Sequence, residues 1–194
     1  RNHPSIIMWS IGNEVEQRAD EPEGDLISKR LVNTVRKYDT SRFTTIGSND
    51  FWDRRQFSWD KDSYRIFKNL DVAGYNYKEQ YYEADHKDFP QIPFLGSENG
   101  HSYEAWDAVK SNDYISGQFL WTGIDYLGEA HGWPVHGSGA GILDCAGFEK
   151  ARYYRRKSLW CEEPQLYLAT RPWSEESAEW IPCRENWNYK AGEK

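Results

Sequence analysis

The chain has little of what would let it cross-link itself, span a membrane or grip a polyanion. Its three cysteines, Cys145, Cys161 and Cys183, are odd in number and follow no metal-ligand spacing, so they mark neither a cysteine-built metal site nor a redox compartment. No apolar run reaches the length of a transmembrane helix. Basic residues are in deficit: 24 Lys and Arg against 31 Asp and Glu leave a net charge of -7, with a pI near 5.3. The one basic cluster, Arg152, Arg155, Arg156 and Lys157, reads as the solvated face of a helix, and a nucleic-acid partner is not expected. A signal peptide is also missing, but the chain opens at Arg1 in mid-motif, so that absence says nothing about the parent protein.

What the chain does hold is aromatic surface, ten Trp and thirteen Tyr within a sequence whose mean hydropathy is -0.91. That combination suits carbohydrate handling, because aromatic faces pack on the apolar faces of sugars while polar tips reach hydroxyls.

Two segments carry the chemistry. Residues 5 to 13 form an apolar, strand-like run that delivers Asn13 and Glu14 at its C-terminal end. Pro93-Phe94-Leu95-Gly96-Ser97-Glu98 is a second apolar run, bounded by Pro and Gly, that also stops on a glutamate. A buried strand ending in a carboxylate is how a barrel enzyme presents an acid or base at its mouth. Paired carboxylates arriving in this way from distant segments suggest hydrolysis of a glycosidic bond.

Strand and helix patterns alternate along the chain. A helix over 25–38 carries Ile27, Leu31, Val35 and Tyr38 at helical spacing, and a β-branched strand over 43–48 ends at Asn49 and Asp50. The aromatic, charged stretch that follows reads as a loop with one or two short helices up to 69. Strands are expected over 71–77, 93–98 and 115–122, with helices over 79–86 and 103–112. A Gly-rich loop over 123–147 then leads to a helix over 148–160. Five strands alternating with helices imply an α/β fold with a parallel sheet. Beyond 162 the composition changes: Pro164, Pro172 and Pro182 punctuate a Trp-rich tail with strand-like runs such as 165–168, which places a boundary near 163.

Residues 1 to 14 resemble the acid/base signature of glycoside hydrolase family 2, and Phe94-Leu95-Gly96-Ser97-Glu98-Asn99-Gly100-His101 resembles that family's nucleophile strand. The run 116–126 is similar to the last barrel strand and loop of the β-galactosidase-like members, and Arg152-Tyr153-Tyr154 with Ser158-Leu159-Trp160 is similar to their closing helix. The likeness covers residues 1 to 173. It implies a partial (β/α)8 TIM barrel, strands four to eight, in residues 1–162, and in 163–194 a linker and the start of a further, β-rich domain. It also implies that this segment begins at strand four, exposes strand edges and apolar surface, and is inactive without the missing N-terminal half of the barrel or a partner chain.

The resemblance assigns roles residue by residue. Glu14 is the expected acid/base and Glu98 the expected nucleophile of a retaining mechanism, which requires their carboxyl groups about 5 to 5.5 Å apart. Asn13 matches the amide that binds the sugar 2-hydroxyl, and Tyr77 the tyrosine that hydrogen-bonds the nucleophile. Trp121 is the expected stacking wall of the subsite, and Asn76, Asn99, His101 and Asp125 are further candidates for hydroxyl contacts. The expected substrate is an oligosaccharide or glycoconjugate with a terminal β-galactoside. β-Glucuronides and β-mannosides are the alternatives within the family, and a non-catalytic carbohydrate-binding barrel the alternative outside it. No organic cofactor is implied, and a divalent metal is left open because the family's magnesium ligands lie partly upstream. His131 and His136, with Asp125 and Glu129, are irregularly spaced and read as loop residues rather than metal ligands. Gly137-Ser138-Gly139-Ala140-Gly141 follows no strand and opens no helix, so it reads as a flexible loop and not a phosphate cradle. The family's role in glycan scavenging favours a periplasmic or extracellular location.

Overall fold

In the computed structural model the structure describes residues 2–15, 22–49, 65–170, 173–174 and 179–180. They fall into two compact units, one ending at Leu120 and the other starting at Trp121.

The first unit is built on five short strands, β1 (Met8–Asn13), β2 (Phe43–Gly47), β3 (Ala73–Asn76), β4 (Phe94–Asn99) and β5 (Ile115–Leu120). β1 pairs with β2, β3 with β4 and β4 with β5, all parallel, and a parallel bridge between Ser48 and Tyr75 joins the two sets. Each strand therefore lies beside its successor in sequence, the arrangement that alternating strands and helices dictate. Helix α1 (Pro22–Tyr38) follows β1, a 3-10 turn (Glu79–Tyr81) and α2 (Tyr82–Asp88) follow β3, and α3 (Tyr103–Lys110) follows β4. Of the loop expected before 69, a 3-10 turn (Arg65–Asn69) is described, and residues 50–64 lie outside the described residues.

All four residues of β3 are buried, as a parallel strand covered on both faces requires. Gly74 is needed there because a Cβ would overlap the Ile46 carbonyl of the neighbouring strand. On one side of the sheet the aromatic core forms: Tyr75 meets Phe67 and Tyr82 edge-on and Phe94 at a tilt, each with ring centroids 5.2 Å apart for Phe67, Tyr82 and Phe94 alike. Burying one such ring contributes roughly 1.5–3 kcal/mol. The Tyr75 hydroxyl donates to Asp85 Oδ2 at 2.8 Å, so a buried carboxylate on α2 is satisfied from inside the core.

At the other end of the sheet a polar knot ties the chain's opening segment to β2. The Asp39 carboxylate accepts hydrogen bonds from the Trp9 indole at 3.1 Å, from the Ser41 hydroxyl at 2.7 Å and from Arg42 at 2.5 Å. Arg42 in turn donates to the Ile6 and His3 carbonyls at 2.6 and 3.0 Å.

The buried face of α1 differs from the expected one. Gly24, Ser28 and Val32 are buried, while Leu31 and Tyr38 stand exposed. Asn69 explains the shift: its amide donates to Ser28 Oγ and to the Asp25 carbonyl and carboxylate, so a polar contact rather than the largest side chains sets the helix rotation. Ile7, Phe43 and Phe119 are large apolar side chains exposed on this unit.

In the second unit, the Gly-rich loop holds a two-residue antiparallel pair, β6 (Tyr126–Leu127) with β7 (Gly137–Ser138), so the first two residues of the run 137–141 lie in a strand. The Trp121–Thr122 and Trp133–Pro134 peptides are cis. Helix α4 (Ala151–Trp160) follows. Its basic residues are not all solvated: Arg156 is 9% exposed, and burial holds its guanidinium below the usual arginine range. The strand-like run at 165–168 is irregular, with Leu166 and Leu168 exposed and Tyr167 stacked on Tyr154 at 3.9 Å. Further on, β8 (Trp173–Ser174) pairs antiparallel with β9 (Glu179–Trp180). Cys145 and Cys161 are free thiols, and Cys183 lies outside the described residues. No helix among the described residues is long and apolar enough to cross a membrane.

Candidate active site

Because the paired strands are parallel, their C-terminal residues gather at one end of the sheet, and several of these are polar. Gly47 ends β2 with Ser48 and Asn49 next, Gly74-Tyr75-Asn76 ends β3, Asn13 ends β1 with Glu14 next, and Ser97-Glu98-Asn99 ends β4. Pairing slips by a bulge just before each of Asn13, Asn76 and Asn99. Bulges re-aim side chains, and here they break the strict alternation that would otherwise send neighbours to opposite faces.

Two non-glycine residues at these ends hold left-handed backbone, Glu14 at φ 44° and Tyr77 at φ 56°. Such conformations cost on the order of 1–3 kcal/mol and persist where surrounding bonds over-determine them. Both are pinned: the Glu14 amide donates to the Gly47 carbonyl and the Tyr77 amide to the Glu98 carbonyl, each at 2.8 Å.

Asn76 is the hub. It is fully buried, its Nδ2 donates to Asn13 Oδ1 at 2.9 Å and to Glu14 Oε1 at 3.1 Å, and its Oδ1 accepts from Ser97 Oγ at 2.7 Å. Its register partner across the ladder is Glu98. Asn76 thus stands between the two glutamates, bonded to the side chain of one and paired with the backbone of the other. Gly47 makes room for this cluster, since a Cβ there would overlap Asn13 Oδ1 and lie 3.0 Å from Asn76 Oδ1. Glu14 and Asn13 are exposed at the rim, Glu98 is half-buried and Tyr77 is exposed.

Asn99 is fully buried and its amide reaches the Ala105 carbonyl of α3 at 3.4 Å, so it braces the helix layer and has no surface for a sugar hydroxyl. Gly96 is required by that placement, because a Cβ would overlap Asn99 Oδ1. His101 is half-buried ahead of α3. Trp121 and Asp125 belong to the second unit. Trp121 is 38% exposed and meets Tyr126 edge-on at 5.9 Å. The Asp125 carboxylate is engaged within its own loop, accepting from Lys150 Nζ at 2.8 and 3.0 Å and from the Gly141 amide at 2.8 Å.

Two residues at the site escaped the sequence reading as candidates: Asn49, whose Nδ2 donates to Glu14 Oε1 at 2.9 Å, and Ser97. The available signal was the recurring Gly-x-Asn at the ends of β2 and β3.

Comparison with known proteins bears on this geometry. The family model described as "Glycosyl hydrolases family 2, TIM barrel domain" matches residues 1–142. The chain is 28% identical to "Beta-galactosidase BoGH2A" of Bacteroides ovatus, the match taking in 87% of this chain and 28% of that protein. It is 25% identical to a "Beta-glucuronidase" of Bacteroides fragilis, over 88% of this chain and 29% of that protein. A crystal structure of a glycosyl hydrolase family 2 member from Bacteroides cellulosilyticus superposes with a TM-score of 0.80 at 32% identity, covering 97% of this chain and 24% of that one. The chain spans less than a third of the length of these relatives.

Proposed function

We propose, from the premise that the chain belongs to glycosyl hydrolase family 2, that it carries both catalytic carboxylates of a retaining β-glycosidase acting on terminal β-galactosides. The observation that carries this reading is Asn76, which sits between Glu14 and Glu98 at the shared C-terminal end of parallel strands. In the proposed reaction Glu98 attacks the anomeric carbon while Glu14 passes its proton to the leaving glycosidic oxygen. Glu14, now a carboxylate, takes a proton from water, and the resulting oxygen attack on the anomeric carbon releases Glu98. Asn13 supplies a hydrogen bond to the sugar 2-hydroxyl and Tyr77 one to the nucleophile. Trp121 offers a half-exposed ring for stacking. Asp125, already neutralised by Lys150, is assigned to holding its loop.

The barrel portion is read as residues 1–162, strands four to eight, with the first three strands supplied by a preceding segment of the parent or by a partner chain. Residues 163–194 are read as a linker into a β-rich domain, which the antiparallel β8–β9 pair supports.

The galactoside preference draws on the relative named as a β-galactosidase and on the likeness at 116–126. The relatives named as β-glucuronidases support a second reading, in which the sugar carries a carboxylate. Release of p-nitrophenol from the β-galactoside, β-glucuronide and β-mannoside by the full-length protein separates them, with Glu98→Gln as control. Galactoside turnover abolished by Glu98→Gln is the expected result. Turnover of the glucuronide alone replaces the sugar assignment, and no turnover of any glycoside by folded protein overturns the catalytic reading in favour of carbohydrate binding.

A further inference from the structure

We propose that Asn49 is a positioning residue for the acid/base, closing with Asn76 a two-amide clamp on a single oxygen of Glu14. The inference rests on the reading of Glu14 as acid/base.

Both carboxamides donate to the same atom, Asn49 Nδ2 to Oε1 at 2.9 Å and Asn76 Nδ2 to Oε1 at 3.1 Å. Among the described residues, Oε2 accepts no hydrogen bond. The jaws of the clamp are set by the backbone. Ser48 and Tyr75 form the bridge between β2 and β3, with the Ser48 amide on the Gly74 carbonyl at 3.1 Å and the Asn76 amide on the Ser48 carbonyl at 2.8 Å. Asn49 and Asn76 are the next residues on their strands, so the bridge aligns their side chains. Only the nitrogen of each carboxamide can face a carboxylate, which fixes both orientations.

Asn49 is 7% exposed, and its bond to Glu14 is the side-chain hydrogen bond it makes among the described residues; its Oδ1 is buried without a donor among them. Buried asparagines that serve the fold ordinarily satisfy backbone groups. This one is aimed at the acid. Two N–H donors occupy the lone pairs of Oε1, so a proton added to Glu14 goes to Oε2, the oxygen left to face a leaving group. The clamp determines which oxygen delivers the proton and where that oxygen points.

A misplaced acid matters only when the leaving group needs protonation. The test compares kcat/KM of the full-length protein on a dinitrophenyl glycoside, whose leaving group departs unassisted, and on the methyl glycoside of the same sugar, whose leaving group does not. Wild type, Asn49→Ala and the isosteric Asn49→Asp are each assayed on the β-galactoside and β-glucuronide series. The ratio of the two values for one preparation is independent of how much of that preparation is folded. The expected result is a loss of roughly tenfold or more on the methyl glycoside, with the dinitrophenyl glycoside within about twofold of wild type. Equal losses on both substrates, or no loss, overturn the clamp while leaving Glu14 as acid/base. Absence of turnover by wild type on every glycoside overturns the catalytic reading and the clamp together.

Discussion

Asn76 on β3 and Glu14 at the end of β1 are joined by a 3.1 Å hydrogen bond that links strands with β2 between them. The same amide nitrogen holds Asn13, and the amide oxygen takes the Ser97 hydroxyl, so one buried carboxamide organises residues from β1 and β4 at once. Losing a partner from this network leaves the fully buried Asn76 amide unsatisfied, which costs more than the bond alone.

Asn76→Asp isolates that role. The substitution keeps shape and the acceptor for Ser97 but puts an oxygen opposite Glu14 Oε1 and Asn13 Oδ1, replacing two attractions with repulsions. The expected outcome is a lower denaturation midpoint, by about 1–3 kcal/mol of stability, and at least a tenfold fall in kcat/KM on any glycoside the parent hydrolyses. Wild-type activity in this variant removes Asn76 as the organiser of the site.

Gly47→Ala probes the same cluster through space rather than charge. The new methyl group overlaps Asn13 Oδ1 and crowds Asn76 Oδ1, and moving either oxygen breaks the bond it accepts, from Asn76 Nδ2 or from Ser97 Oγ. Overpacking of this kind costs about 1–3 kcal/mol. The variant should lose activity with unchanged secondary structure by circular dichroism; an active Gly47→Ala protein means that Asn13 can move without consequence.

The parallel strands were legible because short apolar runs bounded by Gly, Pro and terminal Asn or Glu, alternating with helical patterns, leave few alternatives to a covered parallel sheet. The face of α1 was not, since Leu31 and Tyr38 looked like its core residues while the deciding contact, Asn69 with Ser28, spans 41 residues. Arg156 was misread for a related reason: charge suggested solvent, but helix position decides, and its long apolar stem tolerates burial. The strand-end placement of Glu14 and Glu98 was readable in the sequence. Asn99 follows Glu98 directly, and the two have different fates, one half-buried and one fully buried under α3. Asn49 was passed over because a strand-ending asparagine is usually turn chemistry, and only the bridge at Ser48 shows that it stands beside Asn76.

Acid should weaken the knot at the opposite end of the sheet. Hydrogen bonds from the Ser41 hydroxyl and amide, then from Trp9 and Arg42, hold the Asp39 carboxyl well below the usual carboxylate range. A group depressed in the folded state contributes stability that is full above its unfolded value, about 3.9, and is lost as pH falls toward the folded value. Comparing urea midpoints of wild type and Asp39→Asn across pH, the advantage of wild type should stay level above about pH 5 and shrink steadily below it. A gap that does not change with pH shows that Asp39 acts there by shape alone.

The last prediction concerns the buried pair Tyr75 and Asp85, both fully buried and joined at 2.8 Å. A hydroxyl donating to a buried carboxylate is a charge-assisted bond, and such bonds are about twice as strong as neutral ones. Tyr75→Phe preserves the ring contacts with Phe67, Tyr82 and Phe94 and removes only the donor, so its cost, about 1–3 kcal/mol, reports desolvation of the carboxylate rather than lost packing. Asp85→Asn keeps an acceptor for the hydroxyl while removing the charge. If the charge is what makes the bond matter, combining the two substitutions costs less than the sum of the single ones, because a neutral amide tolerates loss of the tyrosine donor better than a carboxylate does. Strict additivity in that cycle, measured by thermal or urea unfolding, means that the Tyr75 hydroxyl contributes independently of the Asp85 charge.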